Sequence, residues 1–134
     1  MSYFNDTELD SQRTLRKVEQ MIAHAQDTIS MWPAMFRINR GGRILELLYE
    51  MEELCVAANL KYFKKTTLQD LDIKNHQLQL AIRQAALKSY TDKRGNKRYL
   101  VSAGNYELWV KMSTEVGNLI GGWKKKLASK ENNK

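Results

Sequence analysis

The stretch from Ser102 to Ser129 constrains the fold most. Its apolar residues Tyr106, Trp109, Met112, Val116, Leu119, Ile120, Trp123 and Leu127 recur at steps of three and four. That spacing places them on one face of an α-helix, because side chains three and four apart stand above one another, whereas a strand would alternate. Gly121-Gly122 lies within the same stretch and Lys124-Lys125-Lys126 follows Trp123. One segment therefore carries a core stripe, a close-packing signal and a cluster of charge.

The remainder of the chain suits the same class. It holds one Pro (Pro33) and seven Gly in 134 residues, little of the punctuation that a many-stranded fold needs. Helix formers such as Leu, Ala, Lys, Glu, Gln and Met are plentiful. The expectation is one domain over residues 1–134, all-α, an antiparallel four-helix bundle, with residues 1–5 and 130–134 disordered. Cys55 is the only cysteine, which excludes an intrachain disulfide and a cysteine-based metal cage; on the apolar face of a helix it reads as a buried, inert thiol. Residues 1–14 are polar, with no secretory leader, and no apolar run has the length of a membrane span, so a cytoplasmic protein with no membrane contact is expected.

The first helix starts at Asp6 or Thr7 and carries Leu15, Val18, Ile22, Ala25 and Ile29 on one face, with Arg13, Arg16 and Lys17 off it. Pro33 ends it, since the residue before a proline is pushed out of the helical region. Trp32, Met35 and Phe36 are expected to pack around this corner as a plug. The second helix begins between Phe36 and Gly42 and runs to about Tyr62, with Arg37, Arg40 and Arg43 clustered at its start. Gly41-Gly42 lacks the longer glycine pattern, the Lys-Ser/Thr pair and the preceding strand of a phosphate loop. The core residues of this helix are Ile44, Leu47, Leu48, Met51, Leu54, Cys55, Ala58 and Tyr62. Glu46, Glu50 and Glu53 form an acidic face, expected to be solvated or paired with Lys or Arg of a neighbouring helix or subunit.

Thr66 or Thr67 is expected to open the third helix, about Leu68 to Ser89. It carries two apolar stripes, Leu71, Leu78, Ile82 and Ala85 on one side and Ile73, Leu80 and Leu87 nearly opposite. One core buries only one face of such a helix, so the second stripe asks for a second partner and points to a homo-oligomer. Residues 90–101 form a basic, hairpin-like loop. Gly95-Asn96 is a hairpin turn signal, flanked by Lys93, Arg94, Lys97 and Arg98 and bracketed by Tyr90 and Tyr99. Cations beside aromatic rings suit single-stranded nucleic acid, pairing with phosphate and stacking on bases. Ser102 is a good cap for the last helix. In that helix Gly117, Gly121 and Gly122 each cost about 0.5–1 kcal/mol relative to alanine. Close helix packing beside Trp123 would account for them, as would termination near Gly122.

Charge is uneven along the chain. Residues 1–70 hold nine Lys/Arg against ten Asp/Glu, a net of −1; residues 71–134 hold thirteen against five, a net of +8, which together make the overall +7. A basic half suits a polyanionic partner. No catalytic constellation is visible. His24 and His76 lie on different helices without metal-ligand spacing, and no Glu-x-x-His accompanies the acidic face. Neither enzyme activity, metal nor cofactor is expected.

Several segments together resemble a known family. They are the Trp32-Pro33 corner, the Arg40 and Arg43 start of the second helix, Ile82-Arg83, and above all Glu115-Val116-Gly117-Asn118-Leu119-Ile120-Gly121-Gly122-Trp123. From about residue 15 to residue 127 the chain resembles the accessory variability determinant (Avd) proteins of diversity-generating retroelements. Four-helix proteins encoded in intervening sequences of bacterial 23S rRNA genes are similar and form the alternative reading, a basic RNA-binding scaffold without a reverse transcriptase. The basic insert at 91–98 is longer than the Avd pattern. The resemblance implies a homopentameric barrel that binds the element's reverse transcriptase and template-repeat RNA, or DNA, in support of mutagenic retrohoming. Five copies at +7 would present about +35. Arg83, Lys88, Lys93, Arg94, Lys97, Arg98 and Lys111 are the first candidates for nucleic-acid or reverse-transcriptase contact, and Arg13, Arg16, Lys17, Arg37, Arg40 and Arg43 the second. Ile73, Leu80, Leu87, Gly117, Gly121, Gly122 and Trp123 are the candidates for core or oligomer packing.

Overall fold

A computed structural model describes residues 6–60 and 64–132, with side chains described for 10–60 and 64–129. The chain is mostly helical. Four long helices, α1 (Asp6–Ser30), α3 (Gly42–Leu60), α4 (Lys65–Ala86) and α5 (Ala103–Asn132), share one core. A short α2 (Ala34–Phe36) and a π-turn (Arg37–Gly41) lead into α3. Strands β1 (Ser89–Thr91) and β2 (Lys97–Tyr99) form an antiparallel hairpin between α4 and α5, with Tyr90 opposite Arg98. Helix α1 packs on α3 and α5, and α4 packs on the same two.

The three-four stripes build the core. Val18, Ile22, Ala25 and Ile29 of α1 meet Ile44, Leu47, Leu48, Met51, Cys55 and Ala58 of α3, Leu71, Leu78, Ile82 and Ala85 of α4, and Trp109, Val116, Ile120 and Trp123 of α5. Leu15, Leu54, Tyr106, Met112 and Leu127 pack half-buried at its margin. Trp32 and Trp109 meet edge-on, ring centres 6.1 Å apart, and His24 stands edge-on to Trp109 at 5.3 Å. Between α4 and α5 the core is polar: buried Asn75 donates from Nδ2 to the Ser113 carbonyl (3.0 Å), and Gln79 donates from Nε2 to Ser113 Oγ (3.4 Å). Gly117 lies beside this link, where an added Cβ would come within 3.4 Å of Asn75 Nδ2. At the far end Lys126 Nζ sits 3.0 Å from Oδ2 of buried Asp10 and ties α5 to the start of α1.

Several expectations need correction. Helix α4 begins at Lys65 with Lys64 at its cap, so neither Thr66 nor Thr67 opens it, and it ends at Ala86, where the chain turns into the hairpin. Of the two readings of its glycines, termination near Gly122 fails: α5 continues to Asn132. Burial of Trp123 explains this: the helix cannot end at Gly122 where the large ring of the very next residue is fully enclosed. Met35 is 64% exposed and belongs to no plug, while Trp32 and Phe36 do pack inward. Leu119 is half-exposed and outside the core cluster. The expected disorder of residues 1–5, the end of the 130–134 stretch expected to be disordered, and the core role of Tyr62 lie outside the described residues.

Candidate nucleic-acid interface

The hairpin owes its shape to Asp92 and Gly95. Gly95 sits at φ +83, a left-handed conformation that glycine adopts without a Cβ penalty. Its N–H donates to the Asp92 carbonyl (3.0 Å), and Asp92 N–H donates to the Asn96 carbonyl (2.9 Å). The Asp92 carboxylate turns back over the loop. Oδ1 accepts from the backbone N–H groups of Arg94 and Asn96, both at 2.9 Å, and Oδ2 accepts from Arg98 Nε at 3.0 Å. The bond from Asn96, then the Arg98 guanidinium and the Arg94 amide, hold the Asp92 carboxyl below its usual value.

This network sorts the four cations of the loop. Arg98 is tied back to Asp92, whereas Lys93, Arg94 and Lys97 are exposed with no acidic partner among the described residues. Lys97 Nζ lies 5.4 Å from the centre of the Tyr99 ring, which is 64% exposed. The loop thus presents three open cations and one aromatic face to solvent.

Tyr90, at the base of the hairpin, packs against Phe36, ring centres 6.2 Å apart. Leu100 N–H donates to the Lys88 carbonyl (2.9 Å), and Leu100 and Val101 are buried. These contacts anchor the hairpin on the corner that carries Arg37, Arg40 and Arg43. Two clusters some fifty residues apart in sequence therefore share one end of the molecule. Arg37, Arg40 and Lys88 have no acidic partner among the described residues, and Arg43 reaches Glu46 through Nη1 at 3.5 Å. A cleft of about 200 Å³ runs between the π-turn and α4, lined by Asn39, Arg40, Arg43, Ala81 and Gln84. Met31 and Ile38 stand open at the same end, 83% and 79% exposed.

The other candidates fall elsewhere. Arg83 lines a second cleft, about 440 Å³, between α4 and α5, with Leu80, Tyr106 and Val110. Lys111 is exposed on α5. Arg13 and Arg16 are exposed on the first half of α1, away from the hairpin end, and Lys17 is taken up by Glu115 at 2.6 Å. That contact, chiefly its hydrogen bond, lowers the Glu115 carboxyl. Of the packing candidates, Trp123 is fully buried, Gly117 abuts Asn75, and an added Cβ at Gly121 or Gly122 would meet nothing within 4 Å. Ile73, Leu80 and Leu87 are 54%, 54% and 75% exposed, so the second stripe of α4 is left uncovered by the chain's own fold.

The acidic face of α3 is partly committed. Lys74 Nζ lies 2.6 Å from Glu50 Oε2 and, first through that hydrogen bond, lowers the Glu50 carboxyl. Among the described residues no three His, Cys, Asp or Glu side chains converge on a metal position. Burial, reinforced by nearby Glu52, pushes the Cys55 thiol up to about 12 and keeps it in the unreactive protonated form. No helix among the described residues is long and apolar enough to cross a membrane. Sequence reading missed Asn39 and Gln84, whose carboxamides gain meaning only when α4 closes against the π-turn. Comparison with protein families, characterised proteins and solved structures finds no match to this chain.

Proposed function

We propose that the protein is an accessory nucleic-acid-binding factor of the accessory variability determinant type. In this reading it is a four-helix bundle that assembles as a homopentamer and holds a retroelement reverse transcriptase and its template RNA together during mutagenic cDNA synthesis. The observation that carries the nucleic-acid part is the gathering of Arg37, Arg40, Lys88, Lys93, Arg94 and Lys97 at one end of the molecule, beside the open ring of Tyr99. Cations without acidic partners keep their full charge for phosphate, and an exposed aromatic ring offers a stacking surface for an unpaired base. The assembly part is supported by the uncovered Ile73, Leu80 and Leu87 stripe. The reverse-transcriptase part rests on the sequence resemblance around Glu115 to Trp123.

The test is co-purification of the full chain with the reverse transcriptase of a diversity-generating retroelement, with and without its template RNA. A complex that survives nuclease treatment supports the reading. Retention of RNA with no capture of the enzyme would favour the rRNA-associated alternative.

A further inference from the structure

The geometry points to a phosphate-binding notch between the π-turn and α4, formed by Arg40, Arg43, Asn39 and Gln84 over Ala81. The notch deepens the nucleic-acid reading and rests on it only for the source of the phosphate.

Three features of the fold build it. First, the π-turn is locked in place. Gly41 is buried against Ile29, and any Cβ there would overlap Ile29 Cγ2, so the Arg37–Gly41 segment can approach α1 only with glycine at this position. Wide turns of this kind inside helices occur often at functional sites, where they re-aim side chains. Second, the donors are free. Arg40 N–H donates to Asn39 Oδ1 at 2.6 Å. A backbone N–H can only donate, so the Asn39 oxygen is used and its NH₂ group remains available. Arg40 has no acidic partner among the described residues, and Arg43 spends one nitrogen on Glu46 at 3.5 Å, which leaves most of its fork open. Third, there is room. Ala81 is small and nearly buried, and it floors a cleft of about 200 Å³ instead of filling it.

Two guanidinium groups and two carboxamide NH₂ groups form the donor set; Arg43 also feels the carboxylates of Glu46 and Glu50, whereas Arg40 has no acidic partner among the described residues. Guanidinium forks match phosphate oxygens in pairs, and carboxamide NH₂ groups supply neutral donors at the rim. The ligand is therefore a phosphate group, reaching the notch either as the 5′-monoester at the end of a strand or as a diester within its backbone. The open cations of the hairpin lie at the same end and would track the following nucleotides.

The experiment follows the Arg Nε–Hε signals of the full chain by NMR during titration with sodium phosphate, against sodium chloride of equal ionic strength. Saturable shifts of Arg40 and Arg43 with phosphate alone are expected. Arg40→Gln with Arg43→Gln should weaken phosphate binding about tenfold or more, the loss of one to two charged hydrogen bonds, while the charge-matched Lys65→Gln with Lys125→Gln, at the other end of α4 and α5, leaves it unchanged. A parallel titration compares one RNA oligonucleotide carrying a 5′-phosphate with its 5′-hydroxyl form. Tighter binding of the first, lost in the Arg40/Arg43 variant, assigns the notch to strand ends; equal binding, weakened in that variant, assigns it to the backbone. Shifts that match chloride, or unchanged phosphate affinity in the Arg40/Arg43 variant, would overturn the notch. RNA binding through the hairpin would survive that result, so the two readings fail separately.

Discussion

At the scale of single residues, Asp92 decides whether the basic loop has a shape. Its carboxylate accepts three hydrogen bonds, two from the backbone N–H groups of Arg94 and Asn96 and one from Arg98. The folded carboxyl is depressed below the ordinary 3.8, so its contribution is fully present above that value and is lost as pH falls through the lower, folded value. The protection of the Arg94 and Asn96 amides, their exchange taken relative to the unstructured rate at each pH, should therefore fall on acidification below about pH 3.8. Asp92→Asn should lower it already at neutral pH, because a neutral carboxamide is a weaker acceptor and no longer pairs with Arg98. Unchanged protection in this variant would show that Gly95 and the strand pairing alone hold the turn. Part of this was legible early: Gly95-Asn96 signalled a hairpin. What sequence could not show was that Arg98 folds back on Asp92 while Arg94 stays free, since both belong to the same basic run and only the register of the strands separates them.

At the scale of elements, stripes at three-four spacing located the four long helices, because burial of one face is what stabilises each of them. Their ends were less visible. The π-turn of Arg37–Gly41 uses residues that an α-helix also accepts, and only the close approach of Gly41 to Ile29 reveals why it is there. Gly121-Gly122 admits either close packing or a stop, and α5 runs through it. Two glycines cost about 1–2 kcal/mol together, whereas loss of a buried Trp side chain costs about 3–5 kcal/mol. Anchoring of the next turn by Trp123 therefore wins. The two glycine sites differ in consequence. Gly41→Ala should destabilise the chain by about 1–3 kcal/mol in urea unfolding, the usual range for overpacking. Gly121→Ala should not, because its Cβ meets nothing within 4 Å and alanine is the better helix former. If Gly121 is an oligomer contact, one of the two packing roles read for it from sequence, this variant keeps its fold but assembles more weakly by sedimentation. Unfolding of Gly121→Ala at lower urea would show a constraint inside the chain instead.

At the scale of the whole molecule, a single chain leaves two kinds of surface without partners. One is the Ile73, Leu80 and Leu87 stripe on α4, the other the cationic end formed by the corner and the hairpin. The stripe was legible from its offset within α4. The cationic end was not, because Arg37–Arg43 and Lys93–Lys97 are far apart in sequence and come together through tertiary contacts such as Phe36–Tyr90. Leu80→Glu places a charge in the middle of the stripe. It should lower the solution mass from an oligomer, expected at five times the 15.6 kDa chain, toward the monomer, with helix content unchanged. A wild-type protein that runs as a monomer would remove the basis for the pentamer.

The central claim is that the cationic end binds nucleic acid through phosphate. The dependence of single-stranded RNA affinity on salt tests it most directly. Each phosphate contact on a single strand contributes about −0.7 to the slope of log K against log salt. The wild type should show a steep negative slope, and Lys93→Gln, Arg94→Gln and Lys97→Gln together should flatten it by about 2. A flat wild-type slope, or a steep slope that the triple variant leaves unchanged, would contradict the claim.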